Sequence, residues 1–487
     1  MKHLKSVLAG SAAGLLTIVA AQAADMPSRK AAPVEYVRVC DAYGAGFYWI
    51  PGTDTCLKIG GRVRVDTWYT PSKNSVALRS YGGGTGTVTS KNAIDSYGWY
   101  TRGLLMMDSR TQSAWGTVQT VFTIRLAAQS GLANAAPTSN AYAAGNTTGV
   151  ALEAAYIRFA GFTVGQAASN FTFLAPYQYH SNFSPGFPNG IRQLAYTATF
   201  GGGYSATLAL ENRGELSSSN TANSLGAVAG VLQNTAFGSS PQRLPVLVGN
   251  LRIDQGWGSA MLAGAVLQNT ATISAGPAAL LTGGSNAALF TKTGWAISAG
   301  LRINLPMLAA GDSIQAFIAY GDGALDYTAY SSANENSAVT TNYLGGFLRN
   351  DRNLTVFCTT GGACGVESTK AFNLAGMFTH YWTPWLRSNL IGSYARITPG
   401  TRTQNTDWTA GGLSQVTAWD IKHSLIWSPV RNFDIGLELS YARLTQRLTN
   451  NPGALPTALA CTAASAQCSA SVNTNNWTGR VRVERTF

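Results

Sequence analysis

Charge is what this 487-residue sequence has least of. Asp, Glu, Lys and Arg together make up 11% of it, against about a quarter of an ordinary soluble domain. Long apolar runs are missing as well. Beyond the N-terminus no segment reaches the roughly 18–20 apolar residues that a spanning helix needs, which excludes a helical membrane protein. Histidine is scarce, with His3, His180, His380 and His423 the complete set. No Gly-x-Ser-x-Gly elbow accompanies them, so nucleophile–base chemistry has no candidate and no catalytic residue is assigned. The six cysteines show no Cys-x-x-Cys spacing and no neighbouring histidine, so neither metal nor cofactor is expected. Basic residues outnumber acidic ones 34 to 22. They are spread singly, without the clustered patch that a phosphate backbone demands, and no nucleic-acid partner follows.

What is present is alternation. Lys2 and Lys5, the apolar stretch Val7–Ala20 and Ala21-Gln22-Ala23 read as a cleaved signal peptide over 1–23. The mean hydropathy of the whole chain is only +0.02, although aromatics are 10% of it and glycines number 53. Few charges, neutral hydropathy and no apolar helix mean that apolar residues are placed singly, at every second position. Successive side chains of a strand point to opposite faces. The last stretch shows it: Trp477, Gly479, Val481, Val483 and Phe487 share one face, broken only by Arg485, while Thr478, Arg480, Arg482, Glu484 and Thr486 share the other. Such a strand fits a wall with lipid on one side and water on the other.

The pattern predicts sixteen strands, at 57–69, 97–109, 114–127, 150–161, 162–170, 191–201, 202–213, 245–254, 257–268, 291–304, 312–321, 369–382, 384–396, 416–428, 430–444 and 475–487. Links between them alternate short and long, as in an up-and-down barrel with tight turns at one rim and extended loops at the other. An all-β fold is therefore expected: a transmembrane antiparallel up-and-down β-barrel of 16 strands, with short periplasmic turns and long extracellular loops. It would occupy 57–487, preceded by a periplasmic segment over 24–56. Those thirty or so residues are too few for the plug of an active receptor. Ten of the twelve tryptophans fall in or beside strands, as interface girdles require. Sixteen strands enclose a lumen too wide for wall side chains to fill.

The register turns Arg62, Arg64, Arg102, Arg110, Arg125, Arg158, Arg213, Arg252, Arg302, Arg387, Lys422, Arg480 and Arg482 inward. Fewer acids accompany them: Asp66, Asp108, Glu211, Asp254, Asp420, Asp434, Glu438 and Glu484. Arg64–Asp66 and Arg482–Glu484 are candidate ion pairs along their strands. Formal net charge is +12, of which Lys2 and Lys5 supply two units, so the lumen should be net basic. The cysteines form three close pairs, Cys40 with Cys56, Cys358 with Cys364 and Cys461 with Cys468. Local pairing is the simplest of fifteen connectivities, and export permits disulfides.

Residues 32–66, from Ala-Pro-Val-Glu-Tyr-Val-Arg-Val-Cys through Gly-Gly-Arg-Val-Arg-Val-Asp, closely resemble the start of the mature chain in the alpha-proteobacterial general porin family. The leader, Leu152–Ala160 followed by Phe162–Gln166, and the strand ending at Phe487 extend the likeness along the chain. The resemblance implies a sixteen-stranded homotrimer in the outer membrane, in contact with lipid and lipopolysaccharide, passing small hydrophilic solutes and ions by passive diffusion. It also implies pairing of Cys40 with Cys56, and a third long loop folded into the lumen as a constriction. That loop is approximately Phe171–Gly190, with Tyr177, Tyr179, His180, Phe183, Pro185, Phe187 and Asn189 as its candidate constriction residues. Many such porins set acidic loop residues against a basic wall. This loop has no Asp or Glu, so a weaker transverse field is expected. The candidate basic lining is Arg62, Arg64, Arg102, Arg125, Arg158 and Arg192, with a mild preference for anions. A substrate-specific diffusion channel, an outer-membrane enzyme and an adhesin with a blocked lumen are the alternatives.

Overall fold

The computed structural model describes residues 38–69, 97–130, 147–173, 190–212, 227–228, 231–232, 236–238, 243–275, 288–328, 353–359, 364–398, 400, 412–449 and 469–487. The expected signal peptide lies outside the described residues. Sixteen long strands form one closed antiparallel barrel: β1 (Thr55–Tyr69), β2 (Tyr97–Ser113), β3 (Gly116–Ser130), β4 (Thr147–Phe159), β5 (Phe162–Ala167), β6 (Ile191–Gly201), β7 (Tyr204–Glu211), β8 (Val246–Gln255), β9 (Gly258–Ala275), β10 (Ala288–Asn304), β11 (Ser313–Asp322), β12 (Lys370–Thr383), β13 (Leu386–Thr398), β14 (Gly412–Val430), β15 (Phe433–Thr449) and β16 (Ser469–Thr486). Each pairs with its successor, and β16 returns to β1 with Arg64 opposite Glu484 and Asp66 opposite Arg482. Each sequence-predicted strand corresponds to one of these.

Closure depends on a close approach. The N–H and C=O of Gly61 exchange hydrogen bonds with those of Phe487, both at 3.0 Å. A β-carbon on Gly61 would lie 2.5 Å from the Phe487 ring and 2.6 Å from the Leu104 carbonyl oxygen. Any side chain there would push the last strand off the first.

The two faces of the wall differ as the alternation requires. On β1 Ile59 and Val63 are each 49% exposed, whereas Arg64, the residue after Val63, is fully covered. The outer face carries two aromatic belts. Near the long loops, ring contacts of 4.7–6.2 Å link Trp295 to Tyr320, Phe372 to Tyr394, Trp419 to Tyr441 and Tyr441 to Trp477. Near the short turns stand Trp115, Trp257, Trp382, Trp385 and Trp427, all exposed. From Trp419 to Trp427 is eight residues, about 27 Å along a strand and about 20 Å of height at the usual tilt, the scale of an outer-membrane apolar band. Trp68 departs from the girdle: it is buried on the arginine-bearing face of β1. His380 lies in the lower belt between Phe378 and Trp382. Its Nδ1 lies 2.6 Å from the buried Asp312, which also accepts the Tyr381 N–H at 2.7 Å.

The strands differ from expectation mainly at their loop ends. β9 runs to Ala275, β14 begins at Gly412, β15 runs to Thr449 and β16 begins at Ser469, each four to seven residues beyond the alternating stretch. Beyond the upper aromatic belt the outer face is no longer uniformly apolar, so the ladder continues where the pattern has faded. Conversely, β5 ends at Ala167, three residues early, because the chain leaves the wall there to enter the third loop. Within the expected loop segments, Cys364–Ser368, Leu354–Thr359, Val231–Leu232 and Ala227–Val228 form a small separate sheet, with Cys358 and Cys364 as direct register partners. Cys461 and Cys468 lie outside the described residues.

At the short-turn rim Cys40 and Cys56 are joined by a disulfide, with Cα atoms 6.1 Å apart. They are packed with Phe47, Tyr43 and Trp49. Tyr48–Trp49 adds a short strand against β1, and Arg110 of β2 lies 4.9 Å over the Phe47 ring. The segment ahead of the barrel is thus held against the inner side of its mouth.

Candidate functional site

The inner wall divides into two unlike halves. The first is charged and centres on the seam between β16 and β1. Arg64 Nε lies 2.6 Å from Glu484 Oε2, and Arg482 Nε lies 2.5 Å from Asp66 Oδ1 with a second contact of 3.1 Å. Arg62 approaches Glu484 at 3.7 Å. The expected pairs along the strand, Arg64–Asp66 and Arg482–Glu484, are therefore exchanged for pairs across the seam. Directly opposed β-carbons lie about 4.5–5.5 Å apart, closer than two steps along one strand. Further round, Arg480 meets Glu438 at 3.4 Å, Lys422 meets Asp420 at 3.7 Å and Arg387 meets Asp434 at 2.6 Å.

One acid in this half escapes a strict reading of alternation. Ile157 and Phe159 face outward, and an unbroken strand would put Glu153 with them. The pairing of β3 and β4 shifts between Thr123 and Ile124, which skips Glu153. That β-bulge adds one residue to β4 and turns Glu153 inward. Its Oε1 lies 2.5 Å from Arg102 Nη2 and 3.2 Å from Arg125 Nη1. Arg102 and Arg125 thus share a carboxylate supplied by the wall, which the inward residues inferred by parity did not include.

The second half is apolar. On β8 to β11 the inward positions Val246, Val248, Ala263, Ala265, Leu267, Ala296, Phe317 and Ala319 are buried and pack with Phe171 and Tyr327. The first residues of the third loop leave β5 and lie against this wall. Phe173 sits over Gly300, where a β-carbon would come within 2.1 Å of its ring, and Phe171 packs edge-on to Tyr327 at 5.2 Å. Tyr327 belongs to a single helical turn, Leu325–Thr328, placed inside the barrel by the sixth long loop.

Glu211, at the end of β7 and fully buried, ties these pieces together. Its carboxylate accepts hydrogen bonds from Ser169 Oγ at 2.9 Å, the Asn170 N–H at 2.8 Å and Tyr327 Oη at 3.0 Å. Asn250 Nδ2 donates to the Asn170 carbonyl at 2.7 Å, and Gln193 Nε2 to that of Ala168 at 2.7 Å. In this half the inner face is covered rather than wetted. Strands apolar on both faces are strands covered on both faces, and here the inner cover is supplied by two loops.

Of the candidate basic residues, Arg62, Arg64, Arg102, Arg125 and Arg158 stand on the inner face. Arg192 does not. It shares the outer face of β6 with Leu194 and Tyr196, both 47% exposed, opposite the buried Ile191 and Gln193; proximity to the third loop in sequence was outweighed by strand parity. Tyr177, Tyr179, His180, Phe183, Pro185, Phe187 and Asn189 lie outside the described residues, as does Arg213. Among the described residues no group of three or more His, Cys, Asp or Glu could hold a metal ion.

Below the third loop's root the inner wall of β3 to β6 bounds a chamber of about 840 Å³, its lining including Tyr43, Gln119, Glu153, Tyr156, Arg158 and Thr163.

A family profile described as the porin subfamily matches residues 25–479 of the chain. The chain belongs to the porin subfamily. Porin Omp2b of Brucella canis is 32% identical to it over 263 residues, and that of Brucella abortus 31% over the same length. Each match takes in 53% of this chain and 64% of the relative, so the chain spans just under two thirds of the length of these curated proteins. Among solved structures, the outer membrane channel DcaP of Acinetobacter baumannii superposes with a TM-score of 0.52 at 15% identity, over 90% of this chain and 99% of its own. That likeness is one of fold.

Proposed function

We propose that this porin is a passive diffusion channel of the bacterial outer membrane, admitting small hydrophilic solutes and ions with a mild preference for anions. The observation that carries the reading is a closed sixteen-strand wall with an apolar exterior, two aromatic belts and a charged inner seam. A wall of that kind fits a bilayer, and its charged inner seam supports an aqueous path. The short-turn rim, which holds the disulfide-linked N-terminal segment, would face the periplasm. The belts would sit in lipid and in the lipid A region of lipopolysaccharide, and the protein would work as a homotrimer.

Selectivity follows from lining charge and the narrowest radius. Near the seam five arginines (Arg62, Arg64, Arg102, Arg125 and Arg482) stand with three carboxylates, Asp66, Glu153 and Glu484, which supports anion preference. The purified protein in a planar bilayer should give stepwise conductance and a reversal potential displaced toward that of chloride in a potassium chloride gradient. A clear cation preference would overturn the sign of selectivity, and a silent bilayer would overturn the channel and favour an adhesin. Filling of the apolar half of the lumen supports a narrower path than a bare sixteen-strand barrel. Liposome swelling with sugars, amino acids and dicarboxylates of graded size would separate a size cut-off from a chosen substrate class.

We also infer that Cys358 and Cys364 form a second disulfide. Opposed residues of an antiparallel pair have Cα atoms about 4.5–5.5 Å apart, within bridging range. Non-reducing peptide mapping would yield the linked peptide, and free thiols at both positions would refute it.

A further inference from the structure

We propose that Arg158 forms an anion-binding station inside the lower chamber, fitted to a small polyhydroxylated solute that carries one phosphate or carboxylate group. The inference rests on the channel reading and names a solute class for one part of its path.

The chamber's other charges are committed to one another. Arg110 donates to Asp108 at 2.8 and 3.2 Å, and Gln119 Nε2 donates to the same carboxylate at 3.0 Å. Glu153 is engaged by Arg102 and Arg125. Arg158 is different: it is exposed, its guanidinium carbon lies 4.7 Å over the Tyr156 ring, and no carboxylate among the described residues reaches it. Stacking on a π face fixes the plane of a guanidinium while leaving its donor edge open, and that edge matches a carboxylate or phosphate in bidentate fashion.

The surroundings suit hydroxyl groups. Gln119 and Thr163 are the direct register partners of Arg158 on β3 and β5. Because Gln119 spends its amide N–H on Asp108, its carbonyl oxygen is left as an acceptor. Thr163 adds a hydroxyl that can donate or accept. A volume of about 840 Å³ falls within the range of small-molecule sites. Gln119 is six residues along β3 from Arg125, about 20 Å of strand. Arg158 is therefore a separate station below the seam arginines.

The test uses the full-length purified protein with gluconate, glucose 6-phosphate and glucose as probes. In bilayers both anions should interrupt the current, more readily from the short-turn side, and glucose should not. The two anions report whether carboxylate or phosphate is preferred. Arg158→Gln should shorten the blocked time roughly ten- to a hundred-fold and weaken the preference for anions. Arg158→Lys should restore ion selectivity but not the long blocks, since it lacks the fork. Calorimetric titration of the detergent-solubilised protein with gluconate reads binding independently of conductance. Normal conductance with equal block and binding in Arg158→Gln, or glucose acting as well as gluconate, would overturn the station and leave the channel standing. Absence of conductance with binding intact would overturn the channel reading alone.

Discussion

Replacing Glu211 should unfasten the root of the third loop without opening the barrel. In the parent, the Glu211 carboxylate takes three donors: Ser169 Oγ, the Asn170 N–H and Tyr327 Oη. Asn170 Nδ2 also contacts it at 3.2 Å but has a second acceptor in Gln193. Glu211→Ala would take this acceptor from the buried Ser169 and Tyr327 and from the half-buried Asn170. Each unsatisfied buried group costs roughly 1–3 kcal/mol. Allowing the Ser169 hydroxyl to rotate toward another acceptor leaves a total of about 3–5 kcal/mol. At 1.4 kcal/mol per factor of ten, the loop root should detach roughly two to three and a half orders of magnitude more often. Phe171 remains packed on the apolar wall and sets a floor to the effect. Glu211→Gln should be intermediate, because its amide nitrogen offers a donor where donors already converge.

Hydrogen exchange of the peptide covering 168–173, measured on the protein in detergent, is the direct assay. Exchange there should accelerate about a hundred-fold or more in Glu211→Ala, while β1 and β16 keep the protection of the parent. Open-channel current noise should rise in parallel. If exchange at Ser169–Phe171 is unchanged with the barrel intact, the carboxylate does not hold the loop, and apolar packing alone accounts for its position.

Three further outcomes are expected. Glu153→Gln removes the carboxylate shared by Arg102 and Arg125, so the reversal potential in a potassium chloride gradient should move further toward that of chloride; a shift toward potassium would refute this role. Arg64→Glu alone should destabilise the barrel by roughly 3–5 kcal/mol by breaking a buried pair, and Arg64→Glu with Glu484→Arg should recover much of the loss in urea unfolding, equal stability of single and double variants counting against the seam pair. Burial pushes the Asp312 carboxyl up, but the hydrogen bond from His380 and the Tyr381 N–H outweigh it and hold the carboxyl below its ordinary value. Its contribution is thus complete above the unfolded value of about 3.9 and is lost as pH falls through the lowered native value; Asp312→Asn should flatten the loss of thermal stability below pH 4, and an unchanged acid limb would refute the linkage.

The architecture was legible because lipid enforces it. A wall wetted on one side and greased on the other must alternate residue by residue, so Val481, Val483 and their counterparts mark strands without any tertiary information. Parity also places Arg64, Asp66, Arg480 and Arg482 inward. What parity cannot see is a change of parity. One extra residue at Glu153 reverses the reading of that position, and nothing in the local sequence marks the bulge. Partners contributed by loops are equally hidden: Glu211 reads as one more inward acid, yet it meets Ser169, Asn170 and Tyr327, up to 116 residues away. The dry half of the lumen did leave a signal. Val246-Leu247-Val248 and Met261 to Leu267 are apolar or small on both faces, which an inner surface open to water would not tolerate. Arg192 carried one too, in sharing parity with Leu194 and Tyr196.

The division of the lumen decides how the proposed channel would discriminate. In a barrel whose inward loop carries acids, permeant ions cross between opposite charges on opposite sides. Here the root of the third loop is fastened to the apolar wall by Glu211, Phe171 and Phe173, and the loop contributes no Asp or Glu. The acids that face Arg62, Arg64, Arg102 and Arg125 come instead from the same side, Glu153 from β4 and Glu484 from β16. A charge paired at 2.5–3.2 Å within the wall is a short dipole whose field fades within a few ångströms of the surface. What extends into the lumen is then the excess of arginine over carboxylate, a positive potential on one side of it. On the proposed channel reading such a lining would sort solutes by sign of charge and by contact with the charged wall, and would orient dipolar solutes weakly. The same pairs join the first strand to the last, so the residues that set the potential also close the cylinder. Substitutions that change selectivity at Arg64 or Glu484 will therefore also change stability, whereas Arg158, away from the seam, can change one without the other.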